Sequence, residues 1–286
     1  MSGSLASESC RDGWVPATGG MGHFRTSVLC VRCMLHFVET ATPPETLRQA
    51  YLDGLQEPQE LYLEHLVSSG RTWRYGQVAY AVANHGRLVE FFVAASHAEQ
   101  IGALFDAAMT ASGARSVLCK SFDTQLLLAA LSRPAEVTPT GLLFRRVVDA
   151  SFASQEALTF RSGSIDDVAA IARLDDGFFD GVSEIQSYVK AGGLFLLSVH
   201  GELAGCGIAT PVITGRVDID VGMWVAPSHR GKGYGSHIAA YLKHHYLCQG
   251  LRPICGCSTA NIVSYRALNA AGFTSEHRIF QIVRHS

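Results

Sequence analysis

The chain has 286 residues, of which 48% are hydrophobic, and its mean hydropathy of +0.15 excludes a chain disordered throughout and allows two domains or one large one. Its 23 Lys and Arg against 25 Asp and Glu leave a net charge of -2, which argues against nucleic acid or an anionic membrane as a partner. No uncharged apolar run reaches the roughly 18 residues of a spanning helix.

Residues 1–33 are rich in Gly, Ser and Cys and show no periodicity. They lack the basic-then-apolar order of a secretory signal and read as a disordered tail or a misassigned start, with Met34 opening an ordinary protein beginning. After Pro43 and Pro44, Leu47, Tyr51, Leu52 and Leu55 recur at helical spacing, and a second helix follows Pro58 through Leu61, Leu63, Leu66 and Val67. Residues 77–83 and 87–95 form a strand pair around the turn Asn84-His85-Gly86. Residues 97–112 form a helix with Ile101, Leu104, Phe105, Ala108 and Met109 on one face. A strand at Val117–Lys120, a short helix at Thr124–Leu131 and a closing strand at Gly141–Val148 complete a unit of residues 34–150.

Residues 149–158, around Ser151, Ser154 and Gln155, read as a linker, and the order of elements then nearly repeats over residues 159–286. Thr159–Arg161 is a short strand. Ser164 caps a helix whose first turn holds Asp166 and Asp167, where negative charge suits the helix dipole. A second short helix covers residues 182–190. Strands at Leu194–Val199 and Ala204–Thr210 flank the turn His200-Gly201-Glu202. A strand at Val217–Val225, a helix over 234–249, a strand at Ile254–Cys257, a helix over 261–270 and a strand at Ser275–Val283 follow. The expected class is α/β with a mixed sheet (α+β), duplicated. The eight cysteines form no disulfide framework in a chain this long. Cys30-Val31-Arg32-Cys33 is a lone pair and Cys255-Gly256-Cys257 is spaced too closely for zinc. The reading is reduced thiols in a cytoplasmic protein without a metal.

Chemistry concentrates in residues 221–236. An apolar strand ends at Pro227, Gly231, Gly233 and Gly235 follow, and a helix begins. Such glycines let the backbone approach a ligand closely, and the free amides of the loop and helix start make a site for phosphate, to which Arg230 and Lys232 add charge. Neither the dinucleotide fingerprint nor a P-loop fits. Arg230-x-x-Gly233-x-Gly235 after a strand and a proline resembles the coenzyme A pyrophosphate motif of the GNAT N-acetyltransferase superfamily. Asn261-Ile262-Val263-Ser264-Tyr265 running to Gly272-Phe273 resembles that superfamily's closing pattern, and Gly250-Leu251-Arg252-Pro253 resembles its glycine N-acyltransferase-like branch. The likeness covers residues 158–285. For residues 35–150 it is one of element order alone, and Phe91–His97 lacks a glycine loop, so the first half reads as a degenerate copy without a coenzyme site of its own.

The resemblance implies acetyl-CoA as co-substrate. Its pantetheine arm would pair with the backbone of Met223, Trp224 and Val225, its pyrophosphate would sit on the amides of Gly231, Lys232, Gly233, Tyr234, Gly235 and Ser236, and Asn261 and Ser264 would contact the coenzyme. The superfamily's usual acid is a tyrosine at the position held here by Leu268; Tyr265, three residues earlier, substitutes for it or simply packs. Asp218 and Asp220 alternate onto one strand face as base candidates. The superfamily's carboxylate falls at Ile219, and a one-residue shift would bring in Asp220. Phe178, Phe179 and Asp180 offer an aromatic wall and a carboxylate for a small amine, or else the two rings are core. The implied activity is acetyl transfer to a small-molecule primary amine by a monomer or homodimer. A coenzyme-binding sensor and a protein N-terminal or lysine acetyltransferase are the rival readings.

Overall fold

A computed structural model describes residues 35–150 and 158–285 of the protein. The expected tail and most of the linker lie outside them. The first half runs β1 (Val38–Thr40), α1 (Glu45–Gly54), α2 (Leu61–Ser68), β2 (Arg71–Tyr75), β3 (Ala79–Asn84), β4 (Arg87–Val93), α3 (Ile101–Ser112), β5 (Ser116–Lys120), α4 (Thr124–Ala130) and β6 (Ala135–Val147). The second runs β7 (Leu158–Ser162), α5 (Val168–Leu174), α6 (Val182–Lys190), β8 (Leu194–Val199), β9 (Glu202–Pro211), β10 (Asp218–Val225), α7 (Tyr234–Leu247), β11 (Arg252–Ser258), α8 (Ile262–Ala270) and β12 (Phe273–Arg284).

The two halves turn their hairpins in the same way. His85 and Gly86 have φ of 48° and 74°, and His200 and Gly201 have φ of 51° and 85°. Two successive positive φ values are the geometry that continues the right-handed twist of the flanking strands. Ser164 caps as expected, and Asp167 returns the bond to form a reciprocal cap.

Three expectations are corrected. β1 and β2 were not anticipated: β1 has three residues, and Arg71 and Arg74 break the apolar pattern of β2. β6 begins at Ala135 rather than Gly141, because its polar, exposed first residues pair with β12 without burying an apolar face. The helix expected from residue 97 opens as a 3-10 turn over Ala95–Gln100, with α3 starting at Ile101.

Among the described residues, the strands join one twelve-stranded sheet in the order β1-β2-β3-β4-β5-β12-β6-β11-β10-β9-β8-β7. The closing strands are exchanged. β12, the last strand of the second half, pairs with β5 of the first, and β6 of the first half pairs with β11 of the second. β6 and β12 also pair with each other along their lengths, from Phe273 opposite Val147 to Arg284 opposite Ala135. Neither half therefore closes its own sheet.

Alternation along the exchanged strands separates two helix layers. Leu142 and Phe144 pack under α7 and α8 with Ile238, Leu242 and Leu268, whereas Leu143 faces α1 and α2 with Leu47, Tyr51 and Leu63. On β10, Ile219 and Val221 face α7, and Trp224 faces α5 and α6 with Ile171 and Ile185. Thus α1, α2, α5 and α6 share one face. Fully burying a side chain such as Phe144 contributes roughly 1.5–3 kcal/mol, so the shared strands weld the halves.

Candidate active site

β10 and β11 are parallel neighbours only at Asp218–Arg252, Ile219–Pro253 and Asp220–Ile254. Past Asp220, β10 pairs with β9 alone, out to Val225 opposite Gly205, and from Cys255 onward β11 pairs with β6. The strands splay into a wedge with Asp220 and Ile254 at its apex. The β11-facing backbone of Val221–Val225 thereby has no strand partner and, apart from the Val225 carbonyl, which accepts from Arg230, is a row of donors and acceptors ready for an extended ligand. Met223, Trp224 and Val225 lie along it. The side chain of Trp224 is buried on the α5–α6 face and stands 6.3 Å from the ring of Phe179, and the β9 register that pairs Ala226 with Ala204 and Asp218 with Val212 turns its backbone towards β9, so Val221, Met223 and Val225 supply the groups that face the wedge.

The loop after β10 leads to the start of α7. Gly231 and Gly233 have φ of 78° and 81°, in the region that favours glycine. Gly233 is the N-cap of α7 and no side chain caps the helix. The first helical bonds are from the Ser236 and His237 N–H groups to the Gly233 carbonyl, at 3.0 and 3.4 Å. The amides of Tyr234 and Gly235 thus have no partner in the helix and stand at the positive end of its dipole. A side chain on Gly235 would begin 3.6 Å from Ala267 Cβ and 3.9 Å from Met223 Cγ, where α7, α8 and β10 converge. Lys232 is exposed beside this cradle.

Arg230 has partners within the protein. Its guanidinium donates to Asp176 at 2.7 Å and to the Val225 carbonyl at 3.0 Å, which holds the Asp176 carboxyl below its usual range. Its charge is matched by Asp176, and it staples the loop to the α5–α6 connection. Trp224 also donates its ring N–H to Asp176, at 3.4 Å. Asp176 went unremarked in the sequence, where its only signal is the Asp175-Asp176-Gly177 turn.

On the far wall, the Asn261 side chain accepts from the Ser264 N–H at 3.0 Å and so caps α8. Tyr265 is half-buried with its ring 6.1 Å from that of Phe144. Leu268 is 2% exposed and belongs to the core beneath α7 and α8. Asp218 accepts from Arg252 at 2.5 Å and is thereby committed. Asp220, on the same strand face, is half-buried. Burial and then the Glu60 carboxylate push its carboxyl up to about 8, against the pull of Arg145.

The expected acceptor wall divides between its two readings. Phe179 is 6% exposed and packs into the core with Trp224 and Tyr188, whereas Phe178 is 44% exposed. Asp180 is exposed, and its N–H donates to the Glu184 carboxylate at 2.6 Å. On the same sheet face as Asp220, a cavity of about 360 Å³ opens across the exchanged strands, lined among others by Glu60, Tyr62, Gly141, Gly256 and Ser258. No sequence signal marks it, because it exists only once β6 lies beside β11.

The first half repeats the wedge: β4 and β5 pair only at Arg87–Ser116 and Leu88–Val117. There the slot is taken. Gln125 of α4 accepts from the Val93 N–H at 2.7 Å and donates to the Val93 carbonyl at 3.0 Å, occupying the strand edge with its own amide.

Residues 167–273 match the acetyltransferase (GNAT) family, and residues 43–147 match an acetyltransferase (GNAT) domain. No curated protein matches the chain. An acetyltransferase of the GNAT family from Colwellia psychrerythraea is 19% identical with a TM-score of 0.75, over 87% of this chain and 100% of that one. A tandem GNAT protein from the clavulanic acid biosynthesis pathway is 16% identical with a TM-score of 0.55, over 87% and 98%. A GCN5-related N-acetyltransferase from Sphaerobacter thermophilus is 17% identical with a TM-score of 0.53, over 83% and 84%. At such identities the likeness is one of fold. The chain carries two GNAT acetyltransferase domains in tandem, built on a single mixed sheet.

Proposed function

We propose that the protein is an acyl-CoA-dependent N-acyltransferase that moves acetyl from acetyl-CoA to the primary amine of a small molecule, with the second half as its working half. One observation carries the reading: an open strand edge at Val221–Val225 meets an uncapped, glycine-led helix start, with a carboxyl group at the apex between them. The residues present fit the co-substrate, since the edge suits an extended amide-bearing arm and the Gly231–Ser236 backbone suits a diphosphate. Acetyl-CoA supplies an activated thioester. Asp220 takes the proton of the attacking ammonium, because only the neutral amine is nucleophilic. Backbone N–H groups near Val225 stabilise charge developing on the carbonyl oxygen. Tyr265 is the donor to the departing sulfur. Its expected signature is a Tyr265→Phe variant with turnover down about 10–100-fold and unchanged acetyl-CoA affinity; unchanged turnover would remove it from the reaction.

The Gly250–Pro253 stretch that carries the likeness to glycine N-acyltransferase-like enzymes opens β11, where Arg252 binds Asp218. The free, buried thiols of Cys119, Cys206 and Cys255 suit a reducing compartment such as the cytoplasm. A second reading, a coenzyme-binding sensor, draws support from the core position of Leu268 where a catalytic tyrosine is usual. Calorimetric titration with acetyl-CoA, with thiol release followed over a panel of amines, decides between them. The expected result is one acetyl-CoA bound per chain, since Gln125 fills the first-half slot, and thiol release with one class of amine. Binding without release on any amine favours the sensor. Absence of binding overturns both.

A further inference from the structure

Asp220 is faced by groups from both halves. Arg145 comes from β6, Glu60 from the N-cap of α2 and Tyr188 from α6, while Cys255 of β11, which the Asp220 charge also reaches, lies on the other sheet face with Phe144. One pleat away on its own strand, Asp218 is paired with Arg252. Arg145 lies one rung beyond the Cys255–Phe144 pair, opposite Ile254, which itself pairs with Asp220. Asp220, Ile254 and Arg145 therefore form a row across three strands.

Arg145 is 5% exposed. Its Nε donates to the Pro58 carbonyl at 3.3 Å, and its Nη1 donates to the Phe144 and Cys255 carbonyls at 3.3 and 3.1 Å. Its Nη2 is buried with no hydrogen-bond partner. Such a group in a protein interior is costly unless it meets an acceptor. Glu60 is 6% exposed. One of its oxygens accepts from the Leu63 N–H at 2.9 Å, and the other lies 3.4 Å from where a side chain on Gly256 would begin.

The segment that carries Glu60 is fixed from behind. The Gln59 side-chain oxygen accepts from Lys120 at 2.8 Å and from the Glu60 N–H at 3.1 Å, and its amide donates to Glu90 at 3.2 Å. Glu90 is fully buried and is also held by Arg48 and Tyr80. The sealed wedge of the first half thus anchors a carboxylate against the open wedge of the second.

We propose that Arg145 and Glu60 are positioning residues through which the first half sets the charge of the Asp220 carboxyl. This rests on the reading of Asp220 as the base. The two act in opposite senses. The positive charge of Arg145 favours the carboxylate. The like charge of Glu60 opposes ionisation, as burial does. Their balance poises the base near neutral pH, where a group must sit to take and release protons.

The test is carboxyl NMR of the full chain, labelled with 13C at aspartate side-chain carbons and titrated from acid to alkaline pH. The Asp220 signal is the one missing from Asp220→Asn. In Glu60→Gln, which keeps an acceptor for the Leu63 N–H, the midpoint falls and the carboxylate fraction at neutral pH rises several-fold. In Arg145→Gln it rises. Glu64→Gln, whose carboxylate is tied to Arg48, leaves it in place. A merely structural Glu60 would lower Tm without moving the midpoint, so an unmoved Asp220 midpoint in Glu60→Gln overturns the proposal, and that variant suffices if Arg145→Gln does not fold. Acetyl-CoA titration of the same samples separates the two readings. Lost binding in the wild type overturns the acyltransferase and leaves the midpoint shift standing, whereas intact binding with an unmoved midpoint overturns only the role of Glu60 and Arg145.

Discussion

A Gly233→Glu variant is expected to fold and to bind acetyl-CoA at least about 100-fold more weakly than the wild type, a loss of roughly 2.7 kcal/mol. Gly233 has φ of 81°, so any side chain there carries strain, on the order of 1–2 kcal/mol. The new Cβ meets nothing within 4 Å, so the substitution forces no clash. What it changes is the approach to the first amides of α7. A carboxylate at the N-cap fills the space in front of them and sets a like charge beside the diphosphate they are proposed to hold. Gly233→Ala is the control: it bears the strain without bulk or charge and costs about tenfold or less. Calorimetry measures the affinities, and the thermal midpoint confirms that both variants are folded. A glutamate variant that keeps near-wild-type affinity would sink the diphosphate assignment of the loop.

The cradle was legible because it is local. Three glycines between a strand and a helix state their geometry in the sequence, and so do the His-Gly hairpins and the Ser164 cap. Features that depend on which strands meet were not legible. Local pattern places a strand at Gly141–Val148 but cannot say that it pairs with β11 of the other half. The cavity over Gly141 and Gly256, and the approach of Glu60 and Arg145 to Asp220, follow from that exchange. The ion pair of Arg230 was hidden for a related reason: its partner, Asp176, is distant in sequence and reaches it through the α5–α6 connection. Phe178 and Phe179 are adjacent and alike in the sequence, yet one is exposed and the other is core. Asp220 stood beside the superfamily's usual position at Ile219. Strand alternation separates the two, since Ile219 faces α7 while Asp220 faces the cavity side.

An Asp220→Asn variant is expected to lose turnover by about 100- to 10,000-fold while its acetyl-CoA affinity changes little. The side chain lies at the apex of the wedge, away from the Gly231–Ser236 cradle, so the substitution removes a proton acceptor and leaves the binding backbone in place. In the wild type, kcat/KM is expected to rise with pH through about 8, where Asp220 ionises, and the variant should lack that limb. Stability gives a second readout with a definite sign. The folded protein holds this carboxyl neutral up to about 8, whereas an unfolded aspartate titrates near about 3.9. Between those values the unfolded chain binds fewer protons than the folded one, so this group's stabilisation is complete below the lower value and drains away as pH rises towards the upper. Asparagine does not ionise, so the variant should lose less stability across that window and melt above the wild type at its alkaline end. Wild-type turnover in Asp220→Asn would take the carboxylate out of the reaction. A variant less stable than the wild type at alkaline pH would mean that the ionised carboxylate is well paired in the fold, by Arg145 above all, rather than held there at a cost.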